Sequence, residues 1–198
     1  MNNGSGLRVV LWLSGCEHKC KGCQNPQTWD VNSGIPFDEK AKEELFRELD
    51  KDYISGLTLT GGDPLHPSNL DGVLDIVTEF NKRYRTTQDI VSNKDGDHNM
   101  LNENVNKIRL LLPEKTIWLY TGYEWEHIFD QGYHYHPLTV EKLSIGRWRR
   151  QKIVRQCDVL IDGRYIDSLR DVSLKWKGSS NQRVINVQES LKQNKIIL

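Results

Sequence analysis

The sequence has little net charge and no long apolar run. Lysine plus arginine and aspartate plus glutamate number 27 each in 198 residues, so the formal net charge is zero. Because a chain without a net positive field does not attract polyanions, nucleic acid is not expected as a partner. The longest apolar run, residues 9–13, is far shorter than the roughly 20 residues of a membrane-spanning helix. With no signal peptide before it, no membrane partner is expected either.

Cysteine is also scarce, but its distribution is uneven. Three of the four cysteines, Cys16, Cys20 and Cys23, lie within eight residues. Thiols so close together cannot cross-link a fold, and in a reducing cytoplasm this pattern is typical of metal binding. Three thiolates suit a soft metal or an iron–sulfur cluster, and the missing fourth ligand leaves one coordination position open. The pattern therefore predicts a cytoplasmic protein with a catalytic metal site, whereas the fourth cysteine, Cys157, is expected to be a small buried hydrophobe.

Strand and helix patterns alternate along the chain. This alternation predicts one compact α/β domain with parallel strands over residues 1–198, with a core at about 3–130 and 156–187. Polar insertions are expected near residues 83–99 and 132–155. The predicted strands are 7–13, 54–60, 116–120, 159–161 and 184–186, and the predicted helices are 38–50, 68–82, 101–112 and 125–129.

Two loops are expected to share one face of this sheet. The cysteine loop and the segment Gly61-Gly62-Asp63-Pro64 each follow a predicted strand, and the carboxyl ends of parallel strands meet at one edge. Paired glycines let the backbone approach a ligand closely, which makes the second loop a candidate wall for a small molecule at the open metal position. A tight turn is the alternative explanation of the two glycines.

The spacing Cys16-x-x-x-Cys20-x-x-Cys23 resembles that of the radical S-adenosylmethionine superfamily. Further blocks of sequence resemble one branch of it, the enzymes that activate anaerobic ribonucleoside-triphosphate reductase. The cysteine spacing indicates the superfamily and the other blocks indicate the branch. These blocks are residues 3–8, 14–23, 25, 28–29, 55–65, 118–123, 158–164 and 176–183.

The resemblance implies a fold, two cofactors and a set of site residues. The fold would be a partial, incomplete β/α barrel with parallel strands. A [4Fe-4S] cluster would be bound by Cys16, Cys20 and Cys23, and its fourth iron would bind the amino and carboxylate groups of S-adenosylmethionine. No catalytic residue is implied beyond the cluster and cofactor, and Asp63 is assigned to positioning. The residues implied to line the cofactor are Gly22, Cys23, Gln24, Gly61, Gly62 and Asp63.

The resemblance also implies a reaction. Reduced flavodoxin or a similar donor would supply an electron, and S-adenosylmethionine would be cleaved to methionine and a 5'-deoxyadenosyl radical. That radical would take a hydrogen from the α-carbon of one glycine in the glycyl-radical subunit of the reductase. Only a residue without a side chain can be drawn into a deep site in this way.

Two alternatives and two local features complete the predictions. The chain could activate another glycyl-radical enzyme such as pyruvate formate-lyase, or it could be a zinc-binding interaction module that uses His18 as fourth ligand. Gln24 stands where tyrosine is common in the family. The basic run at residues 147–155 is expected to be a solvated helix face, with docking of an acidic partner as the alternative.

Overall fold

The computed structural model describes residues 3–85, 115–129 and 140–198, and it leaves the side chains of 140–144 undescribed. The helix predicted over residues 101–112 and most of the polar stretch 83–99 lie outside the described residues. Among the described residues, no helix has the length and apolar character needed to cross a bilayer.

Five strands form one sheet in the order in which they occur along the chain. The order places β1 at one edge and β5 at the other. Each strand predicted from the sequence is confirmed, with ends shifted by no more than two residues. The strands are β1 (Arg8–Leu13), β2 (Gly56–Gly61), β3 (Thr116–Tyr120), β4 (Val159–Asp162) and β5 (Arg183–Asn186).

The first four strands are parallel, but β5 is antiparallel to β4. The prediction of parallel strands was therefore wrong for β5. Between β4 and β5 the chain forms only a short 3-10 helix, Asp167–Leu169, and no crossover helix. A parallel neighbour needs such a crossover, so the chain re-enters the sheet at the end from which it left.

Within residues 3–85, 115–129 and 140–198, five α-helices accompany the strands. Asp38 caps α1 by accepting a hydrogen bond from the Ala41 amide at 2.8 Å, as the sequence predicted. The second helix begins after Asn69 and includes Arg83 and Tyr84, which were expected to begin a loop. The helices are α1 (Glu39–Leu49), α2 (Leu70–Tyr84), α3 (Trp125–Phe129), α4 (Val140–Val154) and α5 (Val187–Gln193).

The two faces of the sheet have different surroundings. Val9, Leu11 and Leu13 of β1 pack against a hydrophobic core that the helices share, with Phe46 of α1 and Phe80 of α2 almost fully buried in it. The alternate residues face the other way, because successive side chains of a strand point to opposite faces. We call this second surface the inner face; its residues include Arg8, Trp12, Thr58, Trp118 and Tyr120.

A network of polar and aromatic contacts occupies the inner face near the start of the strands. The Arg8 guanidinium donates to Thr58 Oγ1 at 2.8 Å and to Thr116 Oγ1 at 2.9 Å, and it lies 5.4 Å from the centre of the Trp118 ring. Burial lowers the pKa of Arg8 to about 10. Trp176, from the segment before β5, packs edge-on against Trp118 at 5.0 Å. The inner face is therefore partly covered by the C-terminal part of the chain.

The basic run lies on α4 and is not a free solvated face. Arg150 donates to the Leu65 carbonyl and to the Tyr123 hydroxyl, each at 2.9 Å, and Arg149 pairs with Asp71 at 2.8 Å. The same helix packs on α2 and fully buries Ile153 and Val154. The prediction of a solvated face was wrong for these arginines, because their side chains hold the helix to its neighbours.

Candidate metal centre

The cysteine loop leaves the carboxyl end of β1 and is fixed by main-chain hydrogen bonds. The Gly15 amide donates to the Thr28 carbonyl at 2.8 Å, and the Cys16 amide donates to the Trp29 carbonyl at 3.0 Å. Within the loop, the Cys23 amide donates to the Cys20 carbonyl at 3.1 Å, which closes a tight turn. The loop therefore has a defined path before any ligand binds.

The loop after β2 lies directly against the cysteine loop, which confirms that the two loops share one face. The Gly62 amide donates to the Leu13 carbonyl and the Asp63 amide to the Gly15 carbonyl, both at 2.7 Å. A Cβ atom on Gly62 would lie 2.5 Å from the Gly15 carbonyl oxygen and 2.8 Å from that of Thr28. The close approach of the two loops thus requires glycine at position 62, whether or not a ligand also lies between the loops.

Asp63 is the buried acceptor at the centre of this arrangement, with 1% of its surface exposed. Its carboxylate accepts hydrogen bonds from the Leu65 amide at 2.8 Å, the Thr121 hydroxyl at 2.9 Å and the Gly122 amide at 2.9 Å. These partners tie the end of β2 to the end of β3. The contacts agree with the positioning role assigned to Asp63.

His18 lies against Asp63, in the wall of a cavity that the three cysteines also line. Its Nε2 is 2.9 Å from Asp63 Oδ2, with 5% of the side chain exposed. The ring packs edge-on against Tyr123 at 4.7 Å between centroids, and a Cβ atom on Gly122 would collide with it at 2.3 Å. Packing on both sides fixes the ring in the wall of the site, and the role of His18 as a fourth ligand in the zinc alternative stays a prediction.

The three cysteines line one cavity together with residues from the ends of β2 and β3. Of the residues predicted for the site, Gly22 alone is not in its lining; it lies beside Asp167 with φ of +75°. The predicted residues that line the cavity are Cys16, Cys20, Cys23, Gln24, Gly61, Gly62 and Asp63.

Other lining residues were not predicted individually. Three come from β3 and the loop after it, and others come from the segments flanking β4 and preceding β5. Gln182 holds this last segment in place, because its side chain accepts from the Gly178 amide at 2.9 Å and donates to the Gly163 carbonyl at 3.0 Å. For all of these residues except Tyr165, the available signal was their place within the blocks 118–123, 158–164 and 176–183. They include Tyr120, Thr121, Gly122, Gly163, Tyr165, Gly178 and Gln182.

The donor set fits an iron–sulfur cluster. All three cysteines are free and partly exposed. Burial raises the pKa of the Cys16 and Cys20 thiols, so these thiols need the positive charge of a bound metal to become thiolates. Within the described parts of the chain, no three His, Cys, Asp or Glu side chains are already arranged to hold a single metal ion. The fit therefore rests on the ligand chemistry and on the shared cavity.

Cys157 differs from these three, and alkylation of the apo protein is expected to show the difference. It is fully buried, burial raises its pKa well above the ordinary value, and its thiol lies 3.4 Å from the Ile153 carbonyl. We expect iodoacetamide to modify Cys16, Cys20 and Cys23 at least about 100-fold faster than Cys157, because Cys157 requires an opening of the structure. Peptide mass spectrometry measures this ratio, and comparable rates at all four cysteines would contradict the structure.

Comparison with known proteins identifies the class first. The sequence profile of the family described as "4Fe-4S single cluster domain" matches residues 2–96 and 96–185, which together span most of the chain. The class is therefore that of proteins with one iron–sulfur cluster. No solved structure is significantly similar to the chain.

Named relatives then define the family. An anaerobic ribonucleoside-triphosphate reductase-activating protein of Enterobacteria phage T4 is 35% identical over 92% of this chain and 85% of its own length. Proteins of the same name are 33% identical in Escherichia coli K12, over 92% and 90%, and 35% identical in Pasteurella multocida, over 91% and 87%. The chain belongs to the family of anaerobic ribonucleoside-triphosphate reductase-activating proteins.

Proposed function

We propose that this protein activates anaerobic ribonucleoside-triphosphate reductase by generating its glycyl radical. The observation that supports this most is the cavity in which Cys16, Cys20 and Cys23 meet the ends of β2 and β3. It occurs in a chain that is similar, over about nine tenths of its length, to proteins named for this activity. The family relationship also favours this target over pyruvate formate-lyase.

The proposed cofactors are one [4Fe-4S] cluster and S-adenosylmethionine. Cys16, Cys20 and Cys23 would hold the cluster, and S-adenosylmethionine would occupy the open iron site against Gly61, Gly62 and Asp63. When bound, these cofactors would supply one-electron reductive cleavage of the sulfonium, to methionine and a 5'-deoxyadenosyl radical able to take the α-hydrogen of the target glycine. This chemistry belongs to the cofactors, and the protein supplies orientation and the exclusion of water.

The residues of the chain act mainly by position. Asp63 fixes the ends of β2 and β3 through buried hydrogen bonds, so the wall of the cavity keeps its shape when a ligand enters. Gln182 holds the segment before β5 across the cavity. No general base is assigned, because a carbon-centred radical that abstracts a hydrogen atom takes its proton and electron together and needs no separate proton acceptor.

We extend the proposal to the architecture, the electron donor and the compartment. Four parallel strands with helices against one face suit an incomplete β/α barrel, whose hollow would lie over the inner face. Reduced flavodoxin or a similar carrier would supply the electron. Free thiols as cluster ligands suit a reducing cytoplasm.

Anaerobic reconstitution followed by mixing with the reductase tests the proposal. The expected result is about four irons and four sulfides per chain, reductive cleavage of S-adenosylmethionine, and a glycyl-radical doublet in electron paramagnetic resonance that requires both proteins. One tightly held zinc without iron would support the interaction module instead. A doublet with pyruvate formate-lyase but none with the reductase would assign the other activase function.

A further inference from the structure

A hydroxyl group in the wall of the cavity has no partner. The phenol oxygen of Tyr120 is buried and makes no hydrogen bond within the described parts of the chain. Buried polar groups in folded proteins are almost always hydrogen-bonded, because an unpaired one loses its contacts with water without replacement. Such a group needs an explanation, and a ligand that the protein binds is one.

The position of Tyr120 makes this explanation specific. It is the last residue of β3, and its side chain lies on the inner face in the lining shared with the three cysteines. Its neighbour Thr121 donates to the Asp63 carboxylate at 2.9 Å, so the backbone that carries the phenol is fixed to the loop after β2. The backbone that carries the Tyr120 side chain is therefore held at the edge of the cavity.

Several nearby polar side chains already have hydrogen-bond partners. Both ends of the Gln182 amide are hydrogen-bonded to the main chain, and Asp63 is surrounded by its donors. His18, whose Nδ1 is also without a partner, is held by Asp63 and Tyr123. Tyr120 is thus a buried group in the lining that can still donate to an incoming molecule.

We propose that the Tyr120 hydroxyl forms a hydrogen bond with S-adenosylmethionine bound in the cavity, an inference that rests on the proposed function. The nucleoside part of this cofactor carries hydroxyl oxygens and ring nitrogens that accept hydrogen bonds. Burial raises the pKa of Tyr120 far above its usual value, so the phenol keeps its proton at neutral pH and remains a donor. Tyr120 is a cofactor-binding residue in this assignment and takes no part in electron transfer.

Tyr120→Phe tests the assignment, because it removes the hydroxyl and leaves the ring. With reconstituted protein under anaerobic conditions, the dissociation constant of S-adenosylmethionine from isothermal titration is expected to rise about tenfold, the factor that corresponds to one lost hydrogen bond of about 1.4 kcal/mol. The apo variant is expected to melt at the same or a higher temperature than the wild type, because it no longer buries an unpaired hydroxyl. Tyr53→Phe, at a tyrosine that is 63% exposed, is the matched control and should change neither quantity.

Three results would overturn the assignment. In the first, Tyr120→Phe binds S-adenosylmethionine as tightly as the wild type, which would show that the hydroxyl pairs with a buried water and not with the cofactor. In the second, binding is unchanged but the KM for the reductase rises, which would assign the hydroxyl to the glycine segment of the partner. In the third, weaker binding accompanies a lower apo melting temperature and a lower iron content, which would show a structural role.

The wild type separates this inference from the proposed function. If the wild type binds and cleaves S-adenosylmethionine while the variant does so equally well, the assignment of Tyr120 fails alone. If the reconstituted wild type neither binds nor cleaves S-adenosylmethionine, the proposed function fails and the assignment fails with it.

Discussion

Replacing Cys20 with alanine is expected to abolish cluster assembly. Cys20 lines the cavity between the other two cysteines of the loop, and its carbonyl closes the turn that positions Cys23. In the proposed site three cysteines would hold the cluster, so removing one would leave two attachments, which is too few to retain it under chelation. We expect iron to fall from about four per chain to nearly none, with loss of the visible absorption of the reconstituted protein.

Cys157→Ala is the matched control for this experiment. The side chain is fully buried among core residues, so the substitution removes one sulfur atom from the core and leaves the cavity unchanged. We expect normal iron content and a loss of stability of about 1–2 kcal/mol from the small void. Loss of the cluster in Cys157→Ala, with the fold retained by circular dichroism, would show that the fourth cysteine has been misassigned.

Asp63→Asn is expected to lower the free energy of unfolding of the apo protein by about 3 kcal/mol. The carboxylate receives hydrogen bonds from Leu65, Thr121 and Gly122. An asparagine of the same shape has one oxygen and one amide group, so at least one of these donors would face another donor in a buried site. Urea denaturation measures the change, and iron content after reconstitution is expected to fall as well, because the ends of β2 and β3 lose their common anchor in the cavity wall.

Asp75→Asn provides the comparison for the loss of charge alone. Asp75 is 61% exposed and pairs with Lys42 on the surface, an arrangement that is usually worth less than about 1 kcal/mol. If both variants lost the same small amount of stability, the hydrogen bonds of the Asp63 carboxylate would not be the feature that holds the ends of β2 and β3 together.

Periodicity and motif spacing predicted much of the fold, and they predicted the part of the site formed by the cysteine loop and the loop after β2. The five strands, the cap at Asp38 and the meeting of the two loops all depend on local signals, namely apolar alternation, capping side chains and glycines after strands. The three cysteines were identified because such close spacing suits few functions other than metal binding.

The rest of the fold and of the site depends on contacts between residues far apart in sequence, which motif spacing does not encode. The direction of β5 follows from the missing crossover helix after β4. Arg149 and Arg150 appeared solvated because charge is usually exposed, but their partners Asp71, Leu65 and Tyr123 are far away in sequence. The roles of Gln182 and Tyr120 in the cavity wall likewise arise only when the segment before β5 and the end of β3 come together.

The order of the strands bears on how the protein can assemble during synthesis. Each strand pairs with the strand made before it, so the sheet can grow in the order in which the ribosome releases it. The cysteine loop and its main-chain partners lie between Leu13 and Asp63, so this loop can take its path while more than half of the chain is still unmade. The last segment, which carries Gln182 to the cavity, joins the site after the cysteine loop has been made.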